Sequence, residues 1–202
     1  MILGRSTKFI LVRVDMEALK KESTALVLID LQKGILSFPA APIAAESVKS
    51  AAMKLIHTFR AAEALVVFVR VAWSPNFADA LKQPVDRPFG GGASHDNWSE
   101  FPAELGVTAN DVVITKHQWG AFYGTELDLQ LRRRRIDTIV LAGIATNIGV
   151  ESTARDAWER NYHLVFAEGA ITGTDAGMHD FSMKSIFPLL GRVRKAEAIT
   201  LG

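Results

Sequence analysis

Short runs of aliphatic and β-branched residues alternate along this chain with longer stretches in which apolar residues recur every three or four positions. That alternation marks βαβ units around a parallel sheet, whose strands are buried on both faces and therefore read as near-continuous apolar runs. The runs predict strands over residues 25–30, 64–71, 111–115, 137–143 and 163–168, with a weaker sixth in 192–200. Helical spacing predicts helices over 46–62, 125–135, 148–160 and 176–190, covering both sides of the sheet. The stretch 72–108 has no strong period and carries Pro75, Pro84, Pro88 and the triplet Gly90, Gly91, Gly92. A loop of that length in a compact domain is usually functional, as a lid or pocket wall.

At 202 residues and 49% hydrophobic, the chain can bury one substantial core. The expected organisation is an N-terminal extension over 1–15 (a leader, a fusion scar or an extra edge strand) and one α/β domain over 16–202. Lys and Arg number 23 against 22 Asp and Glu, a formal charge of +1, which gives no electrostatic footprint for nucleic acid or an anionic membrane. A small molecule is the expected partner. No apolar run is long enough to span a bilayer, and a cytoplasmic location is expected. The chain has no cysteine, which excludes disulfides, thiolate metal sites and thiol nucleophiles.

In an open parallel sheet, ligands bind outside the carboxyl ends of the strands, so polar residues there are the first candidates. Asp30 ends the apolar run Ala25-Leu-Val-Leu-Ile-Asp30, Lys116 follows Val112-Val-Ile-Thr115, and Gly143-Ile-Ala-Thr-Asn-Ile-Gly-Val150 leads from a strand into a helix. An acid, a base and a helix start would converge.

With Leu28-Ile-Asp-Leu-Gln32, Lys116 followed by Gly120-Ala-Phe-Tyr-Gly-Thr-Glu-Leu127, and the block Ile136 to Ala157, the chain resembles the isochorismatase-like hydrolase superfamily over roughly residues 23–200. The resemblance implies a three-layer α/β/α fold with a six-stranded, mostly parallel sheet in Rossmann-like order, no cofactor, and a homo-oligomer, a dimer or tetramer. Amidases of the superfamily use an Asp, a Lys and a Cys at the start of the helix after the fourth strand, where dipole and lysine favour a thiolate. The matching residues are Asp30, Lys116 and Gly149, the last standing at the position of the missing nucleophile. Metal-binding members carry an Asp-Trp-His-Pro-like run; here it reads Ala72-Trp73-Ser74-Pro75, both ligand side chains are absent, and no metal is expected. Glycine at the nucleophile position is also what isochorismatases carry. In their reaction the aspartic acid protonates an enolpyruvyl vinyl ether and water adds to the oxocarbenium ion. The resemblance also implies a cis peptide at Ile144-Ala145, with Thr146, where backbone N–H groups face a ligand. One departure is Gly169, where many members have Asp.

Around these residues the reading stays open. Gln118, Trp119, Phe122 and Tyr123 follow Lys116 closely enough to wall a pocket, or belong to the core. Arg70 could bind a substrate carboxylate or make a surface ion pair. The run Arg132 to Arg135 sits where a helix should end, and cations there complement its dipole. Ser152 or Thr153 could face the cavity, but no histidine is placed by motif to activate either. His95 beside Asp96 is too little for a metal site. Two functions follow: acid-catalysed hydrolysis from Asp30 without a covalent intermediate, or a catalytically silent protein that binds a small carboxylate metabolite in the same pocket.

Overall fold

The computed structural model of the chain describes residues 18–87 and 97–202. The expected extension over 1–15, Pro88, the Gly90 to Gly92 triplet, His95 and Asp96 lie outside the described residues. Six parallel strands form one sheet in the order β3-β2-β1-β4-β5-β6: β1 (Thr24–Ile29), β2 (Leu65–Val71), β3 (Val112–Lys116), β4 (Thr138–Ile144), β5 (His163–Thr172) and β6 (Arg192–Lys195). Every residue of β1 and β4 is buried, because both strands are central and covered on both faces. The chain steps outward from β1 to β2 and β3, then returns to place β4 on the other side of β1. The winding therefore reverses between β1 and β4, and the crevice where open parallel sheets bind ligands is expected beyond the carboxyl ends of these two strands.

The α2 helix (Ala45–Ala61) covers one face with a single stripe, Val48, Ala52, Leu55, Ile56 and Phe59, against Leu26, Leu28, Val66 and Phe68. On the other face α3 (Leu127–Arg133) and α4 (Glu151–Glu159) cover Val27, Ile29, Val67, Val69 and Ile114 through Leu127, Leu131, Ala154 and Ala157. The expected three-layer architecture is what forms.

Four local expectations differ. A one-turn helix α1 (Lys33–Leu36) follows β1, too short to give a periodic signal. The predicted helix over 176–190 is three pieces, α5 (Ala176–Phe181), a π-helical turn (Ser182–Ile186) and α6 (Phe187–Leu190). Pro188 has no N–H to donate to the preceding turn, so a continuous α-helix cannot run through it. The β5 strand extends to Thr172 across an irregularity, with Gly169 at φ 89°, and its last residues pair with Gly143 and Ile144. The β6 strand stops at Lys195 because its partner segment on β5 ends at Glu168, before that irregularity.

Gly143 lets β4 approach β1 at the crevice: an added Cβ would lie 2.0 Å from the Ile29 carbonyl oxygen, and φ is 126°. Gly143→Ala should cost at least about 3 kcal/mol, since the obstacle is backbone. Gly124→Ala, at φ 66° with nothing within 4 Å, should cost only about 1–2 kcal/mol of backbone strain. Urea unfolding of the two variants checks the contrast.

Candidate functional site

The first strand delivers its acid by breaking the pleat. Asp30 follows Ile29 at φ 54°, a left-handed conformation that aspartate tolerates better than most side chains, while its N–H still donates to Val69 O at 2.9 Å. Its carboxyl turns into the protein and the residue is only 5% exposed. From the edge, Lys116 closes β3 in register with Val71 and on the same face as Ile114, with 1% exposure. Two strand spacings, roughly 10 Å, separate β3 from β1. A lysine stem and an aspartate together bridge that gap, and Lys116 Nζ donates to Asp30 Oδ2 at 2.8 Å and to Gln118 O at 3.1 Å.

Burial pushes the Asp30 carboxyl above its ordinary value of 3.8, and the charge and hydrogen bond of Lys116 pull it back only in part. The second carboxyl oxygen, Oδ1, is buried with no hydrogen-bond partner. An unpaired buried carboxyl oxygen has capacity for a proton or a ligand donor.

Facing this pair is the π-helical turn Thr146–Val150 that precedes α4. A Cβ added to Gly149 would lie 3.1 Å from Asp30 Oδ2, 3.0 Å from Ile29 Cγ2 and 3.6 Å from Trp119 O. Thr153 holds the turn from below: its hydroxyl donates to Gly149 O at 2.7 Å and accepts from Ala121 N–H at 3.1 Å. That fully buried threonine is consumed by structure. On the other flank, Thr146 Oγ1 lies 2.7 Å from His179 Nδ1. The Ile144–Ala145 peptide is cis.

The remaining sequence candidates separate by role. Gln118 Nε2 donates to Gly120 O at 3.0 Å and Tyr123 O at 2.8 Å, so its side chain ties the loop after β3. Phe122 is core, ring to ring with Tyr162 at 5.9 Å and beneath the Arg160 guanidinium. Trp119 and Tyr123 are exposed, Tyr123 by 77%. Arg70 is not brought to the pair: it alternates with Val69 and so lies on the face of Phe68, where its Nε donates to Thr115 Oγ1 at 3.0 Å. In the arginine run, Arg132 stacks on Tyr162 and donates to Arg160 O, and Arg134 binds the Gln130 side chain, helix-end roles as expected. Among the described residues no cluster of three or more His, Asp or Glu could hold a metal ion. No described helix is long and apolar enough to cross a membrane.

Sequence reasoning assigned no role to Gln32, the most connected side chain beside the site. Once Asp30 has turned β1 out of the sheet, the Gln32 amide takes the place of a peptide group. It accepts from Val71 N–H at 2.8 Å and donates to Val71 O at 3.0 Å and Trp98 O at 3.3 Å. Backbone bonds from Lys33 to Glu100 O and from Gly34 to Trp98 O fasten the same segment, and the Trp98 ring sits against Gly34 and 5.7 Å from Trp73. In the sequence Gln32 was visible as the last residue of the motif Leu28-Ile-Asp-Leu-Gln32, a polar residue just past an apolar strand; its complete burial is shown by the structure.

An Isochorismatase domain model matches residues 24–198. The chain is 54% identical to the isochorismatase family protein YecD of Escherichia coli over 181 residues, 90% of this chain and 96% of that one. It is 33% identical to the ureidoacrylate amidohydrolase RutB of Variovorax paradoxus over 176 residues, 76% of this chain and 70% of that one. A solved isochorismatase family protein from Burkholderia thailandensis superposes with a TM-score of 0.86 at 46% identity, covering 90% of this chain and 96% of its own.

Gln32→Leu leaves the Val71 amide and carbonyl unsatisfied, at about 1–3 kcal/mol per group. Gln32→Glu, protonated by burial near pH 5, keeps the acceptor for Val71 N–H and one of the two donors, so it should fall between wild type and Gln32→Leu in thermal and urea unfolding at that pH.

Proposed function

Because the chain belongs to the isochorismatase family, we propose that it is a hydrolase that works by proton donation from Asp30, without a covalent intermediate. Its substrate in this reading is a small vinyl ether or carboxylate-bearing metabolite. The observation that carries the reading is that the backbone of Gly149 faces a buried Asp30–Lys116 pair whose Asp30 Oδ1 has no partner; by resemblance, Gly149 stands where the family's amidases have cysteine.

Three features support an acid rather than a base. Burial raises the Asp30 pKa against the pull of Lys116, which keeps a proton on the carboxyl to higher pH than an exposed aspartate would. With Oδ2 occupied by Lys116 Nζ, the proton belongs on Oδ1. With glycine at 149 there is no thiol or hydroxyl to receive that proton, so the substrate is its acceptor.

In a vinyl ether the proton goes from Asp30 Oδ1 to the methylene carbon, the π electrons form the new C–H bond, and the ether carbon becomes an oxocarbenium ion. Water adds to that carbon and returns a proton to Asp30. The resulting hemiketal collapses to a ketone and an alcohol, breaking the carbon–oxygen bond. The Asp30 carboxylate left by the first step lies beside the developing cation and lowers its energy. Lys116, held by Asp30 and Gln118 O, fixes the orientation of the carboxyl.

The test is isochorismate hydrolysis by wild type and Asp30→Asn. Wild type should turn over, and Asp30→Asn should lose about 10²-fold to 10⁴-fold in kcat/KM. An acid must be protonated to act, so wild-type kcat/KM should be level at low pH and fall as pH rises through the elevated Asp30 pKa. No turnover by wild type, with a melting temperature raised by isochorismate, would instead favour a silent binding protein.

A further inference from the structure

The turn that carries Gly149 is held at one end by a residue from a distant element. Thr146 is fully buried, opens the turn, and has its Oγ1 2.7 Å from Nδ1 of His179, which lies on α5 and is 7% exposed. Among the described residues, that bond to His179 is the side-chain contact that anchors Thr146. Its carbonyl accepts from Glu151 N–H, a bond inside the turn that does not fix where the turn sits.

Burial lowers the His179 pKa, the charges of Asp180 and Glu168 raise it in part, and Lys184 lowers it further. The ring is therefore neutral near pH 7. A neutral ring makes one hydrogen bond through Nδ1 to the Thr146 hydroxyl, which can act as donor or acceptor.

We propose that His179 is a positioning residue of the Asp30 site, which through its hydrogen bond with the Thr146 hydroxyl fixes the turn Thr146–Val150 and so sets the approach of Gly149 to the Asp30 carboxyl. Thr153 holds the Gly149 carbonyl from the α4 side, and His179 holds the start of the turn from the α5 side. The approach they fix is tight, with only 3.1 Å between the Gly149 Cβ position and Oδ2. The inference rests on the reading that Gly149 and Asp30 border the reacting group, but its test does not require turnover.

The chain has no cysteine, so Gly149→Cys introduces a single thiol whose ionisation reports its distance from Asp30 and Lys116. The rate of its alkylation by iodoacetamide, followed against pH by mass spectrometry, gives an apparent midpoint. Adding His179→Ala should move that midpoint at least half a pH unit toward the free-cysteine value of about 8.5. Thr146→Val, which removes the hydroxyl at constant shape, should do the same without touching the histidine. His179→Asn, whose Oδ1 can stand where Nδ1 stood, and Thr146→Ser should restore the midpoint.

Unchanged midpoints in His179→Ala and Thr146→Val, even with a lowered melting temperature, would reduce the pair to a structural contact and overturn the proposal. An unreactive thiol in Gly149→Cys alone would overturn the premise that Gly149 faces an open site. Absent isochorismate turnover with the midpoints shifted would overturn the proposed reaction and leave the positioning role standing.

Discussion

A carboxyl and an ammonium buried together lose most of their hydration, at several kcal/mol for each group that is ionised, and regain it from one another and from the few polar groups beside them. Asp30 and Lys116 are in that situation, at 5% and 1% exposure with 2.8 Å between them. Removing either partner would leave the other stranded, so the geometry around them is constrained to keep the bond. The strand order satisfies that constraint. With β2 between β1 and β3, the acid leaves its strand by a left-handed turn while the base stays in register with Val71, and the two side chains meet above the ends of three strands.

Much of the surrounding structure compensates for that turn. When Asp30 departs from the pleat, the end of β2 loses its backbone partner, and the Gln32 amide replaces it with one acceptor and one donor. The same amide reaches Trp98 O, which draws residues 97–101 against α1. On the other side of the crevice, Gly143 permits β4 to press on Ile29, and the turn after β4 is held by Thr153 and Thr146. A strained residue, an amide clamp and a close glycine thus belong to one arrangement, the pattern expected where backbone strain is retained at a functional site.

What the sequence made legible follows from the range of the interactions. Central strands were readable because burial on both faces writes a continuous apolar run, and Asp30 and Lys116 were readable because a charge at the end of such a run is out of place. The partnership of Gln32 with Val71, 39 residues away, and of Thr146 with His179, 33 residues away, leaves no local pattern. For Arg70 the place near a strand end was visible but not its direction: strand alternation puts it on the face of Phe68, away from the pair. The C-terminal helix was read as continuous because its apolar period continues through Pro188, although the backbone cannot.

The balance at Asp30 also links binding to acidity. Burial already outweighs Lys116 in setting its pKa, and a ligand that fills the crevice would exclude more water and shift the balance further toward the protonated form. A carboxyl held protonated in the ground state is a strong donor only if something in the transition state rewards its ionisation. In the proposed reaction a cation develops beside Oδ1 as the proton leaves, so the carboxylate gains a second positive neighbour in addition to Lys116. The glycine at 149 keeps that space clear: a larger side chain would meet Oδ2 at 3.1 Å and compete with both the lysine and the substrate. An empty position opposite a buried acid is thus part of how an acid, rather than a nucleophile, can carry the reaction.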